Sequence, residues 1–479
     1  MGEAHAAFLR AAGEAGDNAE LQRLLHEVTG RFMERRRLAA AAVPDWEALR
    51  EHARQMKAAT LASLDEHLVT FERQVIARGG HVHWASTAAD ARRIVLDLAR
   101  QHGARTVVKS KSMVSEEIHL NAELSGAGIT PIETDLGEYI IQLAGERPSH
   151  VIAPALHKSR GDVSRLFTEK LGLAPTDDVE VMTAAARSRL RRAFLSADLG
   201  ISGVNLAVAE TGTLVIVENE GNARLSTSAP RVHVALMGIE KVIPRLADVP
   251  ALLTLLPRSA TGQAMTSYVS FITGPRRSGE LDGPEALHVV LLDNGRTTLL
   301  ADPGTREALQ CIRCGACQNA CPVYSHIGGH AYGGVYAGPI GAMIAPVVER
   351  DRAPADLPFA STLCGACAEV CPVKIRIPEV LLRQRAQVMA GRVPAEALPS
   401  RRAVRAGMRA WAAAMATPAR YGWASRVLRW TRPLLGAGVA RRLSGPLRAW
   451  AAAREVPVPA ARSFQQWWRA RGKAGGGDA

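Results

Sequence analysis

The stretch CIRCGACQNACP, residues 311–322, holds four cysteines at a spacing that decides how the surrounding chain folds. The spacing is C-x2-C-x2-C-x3-C-P, and its cysteines are Cys311, Cys314, Cys317 and Cys321. Bacterial ferredoxins with two [4Fe–4S] clusters use this spacing, and the fourth cysteine of each run then ligates the other cluster. The pattern therefore predicts iron–sulfur clusters and requires a second, similar run elsewhere in the chain.

The second run is STLCGACAEVCP, residues 361–372, which repeats the last three cysteine positions and places Ser361 at the first. The two runs contain all seven cysteines of the chain. Crossed ligation predicts one complete [4Fe–4S] cluster, with the ligands Cys311, Cys314, Cys317 and Cys371. The second cluster is predicted to have the ligands Cys321, Cys364 and Cys367. Its fourth corner is left to Ser361, to water or to no iron at all, which makes it either a [4Fe–4S] or a [3Fe–4S] cluster.

Zinc is the alternative metal for clustered cysteines. A zinc ribbon has separate C-x2-C pairs, whereas these two runs interlock and each ends in Cys-Pro, which favours iron–sulfur clusters. The segment between the runs, residues 322–363, is predicted to form helices and a glycine-rich loop over the clusters. His326 and His330 in this segment are candidates for cluster ligands or proton carriers, although hydrogen-bonded histidines in a tight loop are the commoner arrangement.

The composition is that of a globular protein that keeps its thiols reduced. The chain has 479 residues, of which 47% are hydrophobic, and this length predicts two to four domains at about 150 residues each. No run approaches the roughly 18 uninterrupted apolar residues of a membrane span, and the N-terminus lacks the features of a signal peptide. We therefore expect a cytoplasmic protein, in which clustered cysteines bind metal rather than form disulfides.

The net charge of +13 is concentrated at the C-terminus. Residues 401–479 contain 16 Lys and Arg against two acids, whereas residues 1–400 have a net charge of −1. Six of the eight tryptophans lie in the same segment: Trp411, Trp423, Trp430, Trp450, Trp467 and Trp468. Arginine with aromatic residues is typical of interfaces with an acidic partner or an anionic membrane surface, and helices docked on the protein body are the alternative. The sequence contains no nucleic-acid recognition motif, so we expect no nucleic-acid partner.

The pattern of apolar residues predicts four regions. Residues 1–104 have apolar residues at helical intervals and are predicted to form a helical N-terminal region. Residues 105–300 alternate short apolar strands with helices, which is an α/β pattern. Residues 301–395 are the predicted iron–sulfur domain with a closing helix, and residues 396–479 are the basic Arg- and Trp-rich C-terminal region.

Several strands and turns are predicted within the α/β region. The strands include TVVK, GITPIET and HVIAP. Gly212 is predicted to turn the chain between two further strands, and Asn294-Gly295 between apolar runs is the strongest hairpin signal. Ser115 is predicted to cap a helix that has Glu116 in its first turn.

Four charged residues are candidates for an anion or substrate site. Lys109 and Lys111 follow the first strand, at the carboxyl end where open α/β sheets place ligands, while solvated lysines beside a capped helix are an equally frequent arrangement. Glu210 and Arg224 flank a strand pair that is dense in polar residues, for which a polar turn is the simpler interpretation. We expect a bound carboxylate among these four residues, and the sequence assigns no catalytic residue.

The chain resembles the lactate-utilisation protein B family along most of its length. The similarity rests on VKSKSMVSEEIHLN, IETDLGEYIIQL, AETGTLVIVENEGNARL and both cysteine runs with their flanking residues. It implies an α/β LUD domain, related to the sugar-isomerase and CoA-transferase-like folds, followed by a mainly α-helical two-cluster ferredoxin domain. Ser361 in place of a cysteine is what the family leads us to expect. We expect the tail to depart from the family, because it is rich in Arg and Trp.

The resemblance also implies a function and partners. We expect an iron–sulfur electron-transfer subunit of a complex that oxidises L-lactate to pyruvate, as part of an L-lactate dehydrogenase. The implied partners are a cysteine-rich subunit and a second LUD-domain protein. Two alternatives stay open: the same role in a glycolate or other 2-hydroxy acid oxidase or in a heterodisulfide-reductase-like complex, and an iron–sulfur redox sensor. The lack of a helix-turn-helix signal counts against the sensor.

Overall fold

The computed structural model of the chain describes residues 3–350, 352–392, 401–430 and 460–474. The chain divides into two compact units, Met1–Ala397 and Leu398–Ala479. The strands of the larger unit are β1 (His81–Ala85), β2 (Thr106–Lys109), β3 (Thr130–Glu133), β4 (Leu199–Gly203), β5 (Leu206–Val208), β6 (Thr213–Glu218), β7 (Val232–Gly238), β8 (Val242–Ile243), β9 (Tyr268–Ile272) and β10 (Ala286–Leu292).

Helices pack around these strands in the described part of the larger unit. The N-terminal and α/β helices are α1 (Glu3–Asp17), α2 (Ala19–Ala41), α3 (Trp46–Ala62), α4 (Leu64–Ala77), α5 (Ala88–Gln101), α6 (Met113–Glu117), α7 (Leu120–Gly126), α8 (Leu136–Ala144), α9 (Arg160–Leu171), α10 (Val179–Ser196), α11 (Asn222–Ser228), α12 (Val249–Ala260) and α13 (Arg296–Ala301). The helices of the cysteine region are α14 (Ala316–Asn319), α15 (Tyr324–Ile327), α16 (Gly338–Val348), α17 (Ala366–Glu369) and α18 (Ile377–Ala390).

The main sheet has six parallel strands in the order β1–β10–β7–β4–β2–β3. Helices connect its strands, because a parallel connection needs a crossover of a dozen or more residues. The central strand β7, VHVALMG, is buried along its whole length, as expected where helices cover both faces of a sheet. The predicted α/β fold is therefore confirmed, and the carboxyl ends of the parallel strands meet at one edge.

A smaller sheet, in the order β8–β5–β6–β9, packs beside the main one. Strands β5 and β6 are antiparallel, with Ala207 opposite Leu214, which confirms the predicted turn between them. Gly212 in this turn has φ 65°, and a Cβ atom there would lie 2.7 Å from the backbone nitrogen of Val75. Glycine is required at this position by both its backbone conformation and the close approach of helix α4.

One apolar core joins the N-terminal helices to both the sheets and the cysteine region. Buried residues of this core include Leu25 on α2, Phe71 on α4, Leu291 on β10 and Met343 on α16. The N-terminal helices therefore fix the cysteine region against the α/β layer. None of the helices that the structure describes is long and apolar enough to cross a membrane.

The α/β layer begins earlier in the chain than predicted. Strand β1 lies within residues 1–104, which were predicted to be helical, and pairs in parallel with β10 at the edge of the main sheet. Its sequence, HVHWA, has a mostly exposed or half-buried pattern rather than a continuous apolar run. An edge strand needs fewer apolar residues than a central one, so its sequence signal is weak.

The prediction of a strand at HVIAP is wrong. Residues 150–154 form a loop in which the backbone N–H of Val151 donates to Gln318, and those of Ile152 and Ala153 donate to the ring of His150. These side chains satisfy the backbone in place of a neighbouring strand. The loop therefore lines the cysteine region through Val151 and does not extend the sheet.

The prediction of a hairpin at Asn294-Gly295 is also wrong. Both residues have positive φ, 44° and 89°, but they lead from β10 into helix α13. Strand β10 already has parallel neighbours on both sides, so no antiparallel partner can pair with it. The prediction that Ser115 caps a helix is wrong as well. The cap of α6 is Ser112, whose hydroxyl oxygen accepts from the N–H of Ser115 at 3.2 Å.

The smaller unit contributes helices α19 (Arg401–Met415), α20 (Pro418–Trp430) and α21 (Phe464–Ala474). Five of the six tail tryptophans lie on these helices and expose large parts of their side chains. The sixth, Trp450, lies outside the described residues. The basic tail thus presents aromatic side chains to the solvent within its own unit.

Candidate iron–sulfur centre and adjoining cavity

Four cysteines from the two runs line one small cavity: Cys311, Cys314, Cys317 and Cys371. All but Cys311, which is half-buried, are buried. The rest of the lining is largely apolar, and includes Val151, Ile312, Ile340, Val373, Ile375 and Ile377. An apolar shell of this kind limits solvent access and so influences the potential of an iron–sulfur cluster. The structure brings together the four residues that crossed ligation assigns to the first cluster.

The remaining three cysteines form a second group nearer the surface. Burial, followed by a contribution from Cys364, raises the pKa of Cys321. Burial, followed by Cys321 and Cys364, raises the pKa of Cys367 to about 12. Helix α17, which contains Cys367, packs against α14, which ends two residues before Cys321. Cys364 is exposed, whereas Cys321 and Cys367 are buried, so this group has one side open to solvent.

The two runs repeat the same local backbone, and this repeat places Ser361. The N–H of Arg313 donates to the sulfur of Cys311 at 3.3 Å, and the N–H of Leu363 donates to the hydroxyl oxygen of Ser361 at 3.2 Å. Arg313 and Leu363 both have positive φ, 61° and 57°. The Ser361 hydroxyl therefore occupies in the second run the local position that the Cys311 thiol has in the first.

The donor set of the first group fits a cationic cluster core. Burial and then the neighbouring thiols raise the pKa of Cys314 and of Cys317 above the usual range. Four adjacent thiolates, three of them buried, are unfavourable without a compensating positive charge, and bound iron would supply that charge. Thiolate is also the ligand that iron–sulfur clusters use. The residues present thus suit the predicted cluster.

Arginines from the N-terminal helices hold the second run in place. Arg50 on α3 donates to the carbonyl oxygens of Glu369 and Cys371, at 2.7 Å each, and Arg36 on α2 donates to that of Val370 at 2.8 Å. Arg50 is only 8% exposed. The two guanidinium groups also place positive charge beside the first cysteine group. This charge favours a cluster there, because a cluster core together with its four thiolate ligands has a net negative charge.

A buried ionic network joins the first run to the main sheet. Arg296 on α13 is 2.8 Å from Glu117 and 2.6 Å from Glu240, and Arg313 is 3.2 Å from Glu240. The hydroxyl of Tyr336 donates to Glu117 at 2.8 Å. Burial alone would raise the pKa of Glu240, but Arg296 and Arg313 lower it to about 2. The network is therefore charged in the folded protein at neutral pH.

A second cavity, of about 360 Å³, adjoins the first cysteine group. Arg313 and Val151 line both cavities. The larger cavity lies at the carboxyl ends of three parallel strands, where residues 110–114 follow β2, 203–205 include the end of β4, and 240–241 follow β7. This is where open α/β sheets place ligands.

The four predicted anion-site residues do not come together. The ammonium of Lys109 is buried and lies 2.5 Å from Glu116 and 2.6 Å from Glu133. Burial alone would lower the pKa of Lys109, but these two carboxylates raise it above its usual value. Lys109 therefore has its counterions within the protein and does not form the predicted anion site.

Only Lys111 of the predicted four lines the larger cavity. It is half-buried, and its ammonium donates to the carbonyl oxygen of Ile152 at 2.5 Å. Glu210 lies exposed beside the turn after β5, and Arg224 is exposed on α11. Neither belongs to the cavity lining.

Sequence reasoning missed two basic residues in this cavity, Lys241 and Arg313. Lys241 follows the buried strand β7, and the same rule that singled out Lys109 and Lys111 could have found it. Arg313 lies inside the first cysteine run, whose spacing indicates a cluster but gives no signal for a second role of the residues between the cysteines. Both residues are buried.

The two candidate histidines lie away from the first cysteine group. His326 is exposed, and neither histidine lines the cavity of the first four cysteines. His330 is held by the carbonyl oxygen of Arg147 at 2.7 Å, and its ring is 4.5 Å from that of His157. His330 is thus hydrogen-bonded within its loop. The roles of His326 and His330 as cluster ligands or proton carriers stay predictions.

Three known domain families match consecutive parts of the chain. They are described as LUD domain, matching residues 68–292, 4Fe-4S dicluster domain, matching residues 307–375, and lactate utilisation protein B, C-terminal, matching residues 381–473. The first match begins before β1, in agreement with the early start of the α/β layer. The second match spans both cysteine runs.

Proteins of similar length match nearly the whole chain. Lactate utilization protein B of Shouchella clausii is 42% identical over 438 residues, which are 91% of this chain and 90% of that protein. Lactate utilization protein B of Bacillus velezensis is 40% identical over 480 residues, 98% of each chain. The uncharacterized electron transport protein YkgF of Escherichia coli is 44% identical over 428 residues, 88% of each chain.

Proposed function

The chain belongs to the lactate utilisation protein B family, and from this premise we propose that it transfers electrons within a complex that oxidises L-lactate to pyruvate. It is an iron–sulfur subunit of lactate utilisation, with a LUD domain and a 4Fe-4S dicluster domain. The observation that carries the electron-transfer role is the grouping of the seven thiols. Four of them line one largely apolar cavity, and the other three include the exposed Cys364.

The stoichiometry of lactate oxidation suits two clusters. L-lactate loses two electrons and two protons when it becomes pyruvate, and each iron–sulfur cluster accepts and releases one electron at a time. The residues of this chain supply the ligands, the apolar shell and the buried charges that set the environment of each cluster. The first group, beside the larger cavity, is suited to accept electrons, and the second, with exposed Cys364, to pass them to a partner.

We propose a [4Fe–4S] cluster for the first group and either a [4Fe–4S] or a [3Fe–4S] cluster for the second. Cys321, Cys364 and Cys367 are the cysteine ligands of the second cluster. The repeat of the local backbone supports Ser361 as the residue that faces its fourth corner. Serine oxygen is a harder donor than thiolate, so this corner is the more labile one.

The proposed partners are a cysteine-rich subunit and a second LUD-domain protein in the cytoplasm. The exposed side of the second cysteine group supports an exchange of electrons with such a subunit. For the tail we propose an acidic partner or an anionic membrane surface. Exposed Trp411 on α19, among the arginines of that helix, supports this role.

Growth of a strain that lacks this chain tests the proposed function. The strain should lose growth on L-lactate and keep growth on glucose, and the intact gene should restore it. Unimpaired growth on L-lactate would refute the proposal. Loss of growth on glycolate instead would indicate the alternative 2-hydroxy acid oxidase.

A further inference from the structure

We propose that the cavity beside the first cysteine group binds the carboxylate of a small 2-hydroxy or 2-oxo acid through Lys241, Lys111 and Arg313. The inference rests on the proposed function and adds to it a substrate site on this subunit. It replaces the site expected among Lys109, Lys111, Glu210 and Arg224, of which only Lys111 lines the cavity.

Lys241 is the strongest reason to expect an anion. It lines the cavity and is only 7% exposed. Among the residues that the structure describes, none forms a hydrogen bond or an ion pair with its ammonium. A buried charge without a partner is costly, and a bound carboxylate would remove that cost.

Two further cationic groups of the cavity lack an anionic partner for part or all of their charge. Lys111 donates to one backbone carbonyl, and no carboxylate of the described residues lies within 4.0 Å of its ammonium. Arg313 pairs through one terminal nitrogen with Glu240, while its other terminal nitrogen is buried without a partner among the described residues. Three cationic groups therefore have spare donors around one cavity.

Each of the four acids in the cavity lining accepts a hydrogen bond from within the protein; Asp135 accepts from the N–H of Glu138 and Glu240 from Arg296. Glu218 accepts from the N–H groups of Ala223 and Arg224, at 2.6 and 2.7 Å. Glu220 accepts from the N–H of Leu136 at 3.0 Å. The acids thus have donors within the protein, whereas the ammonium of Lys241 has no partner among the described residues, which favours an anionic ligand over a cation.

The position and size of the cavity indicate a small organic acid close to a redox centre. Its volume of about 360 Å³ holds a three-carbon acid together with water. Apolar residues, including Met113, Ile216 and Leu256, line part of it and suit a methyl group. Arg313 is also part of the wall around the first cysteine group, so a ligand held by this side chain lies next to the first cluster.

Calorimetry on the anaerobically purified, cluster-containing chain tests the site with L-lactate and pyruvate as ligands. We expect both to bind, and 1,2-propanediol, which replaces the carboxylate of lactate by a neutral group, not to bind. Lys241→Met and Lys111→Met should each weaken binding about 10- to 100-fold, since each removes a charge-assisted contact. Lys170→Met, at an exposed position on α9, should leave binding unchanged.

Each result either supports or overturns the inference. No saturable binding of either acid, or equal binding by both lysine variants and the unaltered chain, would overturn it. Iron content and visible absorbance show whether each variant keeps its clusters, and Lys111→Met decides the matter if Lys241→Met does not fold.

Growth assays separate this inference from the proposed function. If the intact gene restores growth on L-lactate to the deletion strain and both lysine variants restore it equally well, the site is wrong and the function stands. If the deletion strain grows on L-lactate without the gene, the proposed function itself fails. If the intact gene restores growth and a cluster-containing Lys111→Met chain does not, both are supported.

Discussion

The backbone N–H of Arg313 donates to the sulfur of Cys311 at 3.3 Å, while the side chain of the same arginine lines the cavity at the ends of the parallel strands. One residue therefore touches both the first cysteine group and the candidate substrate site. Its guanidinium also pairs with Glu240 at 3.2 Å, which follows the central strand β7. Arg313 is thus one of the buried side chains at which the LUD sheet and the iron–sulfur region meet.

Replacing Ser361 tests the open corner of the second cluster. Ser361→Cys should supply a fourth thiolate, because the serine hydroxyl occupies the local position of the Cys311 thiol in the other run. We expect the variant to keep more iron after exposure to air, measured by iron analysis, and to show an altered paramagnetic resonance signal. Ser361→Ala, which removes the hydroxyl and offers no donor, is the control. Iron retention equal in the cysteine and alanine variants would contradict this placement.

Arg50 should contribute strongly to stability. Arg50→Met leaves the carbonyl oxygens of Glu369 and Cys371 without their charged donor. The expected loss in the free energy of unfolding is about 2–4 kcal/mol, measured by anaerobic urea titration. Arg54→Met on the same helix breaks a partly exposed pair with Glu51 and should cost less than about 1 kcal/mol. Equal effects of the two substitutions would be inconsistent with the buried role of Arg50.

The buried ionic network should be sensitive to the loss of Arg296. Arg296→Met leaves Glu117 and Glu240 buried without their shared counterion. We expect the free energy of unfolding to fall by about 3–5 kcal/mol, because an unpaired buried charge is costly. Arg231→Met, which breaks an exposed pair with Glu285, is the matched control and should cost less than about 1 kcal/mol. A small effect of Arg296→Met would show that the network is not a stabilising element.

Glu349 should make stability depend on pH between mildly acidic and neutral conditions. Burial raises the pKa of Glu349 from 4.5 to about 7, and its carboxyl accepts from the N–H groups of Val335 and Tyr336. The unfolded chain releases this proton at lower pH than the folded chain does. The contribution is therefore fully present below about pH 4.5 and is lost as pH rises to about 7.

The matching measurement is the free energy of unfolding at several pH values, with Glu349→Gln for comparison. The slope between pH 5 and 7 should be less negative in the variant, by up to about 1.4 kcal/mol per pH unit. Identical slopes in the two proteins would rule out Glu349 as the group responsible.

Local chemistry made much of this protein predictable from its sequence. The cysteine spacing is set by the geometry of a cluster over a dozen residues, so the four cysteines that line one cavity could be predicted without knowledge of the fold. The strands β2 and β3 and the β5–β6 turn followed in the same way from short apolar runs and Gly212. These features depend on residues that are neighbours in the chain.

Features that depend on distant partners could not be predicted in this way. Asn294-Gly295 has the residues of a hairpin turn, but β10 lies between two parallel strands and leaves no room for a hairpin partner. The position of Lys109 at the end of a strand is typical of an anion ligand. Its counterion, Glu133, lies on a neighbouring strand and is brought to it only by the fold. Lys241 and Arg313 come together only because β7 lies at the centre of the sheet and the first cysteine run packs against its end.

Metal analysis combined with paramagnetic resonance of the anaerobically purified chain tests whether the seven cysteines hold two iron–sulfur clusters. We expect about seven or eight iron atoms with matching sulfide per chain, and signals from two neighbouring clusters after reduction. Cys314→Ala should remove the signal of the first cluster, and Cys364→Ala should affect only the second. Stoichiometric zinc, or a single cluster lost equally in both variants, would contradict the account.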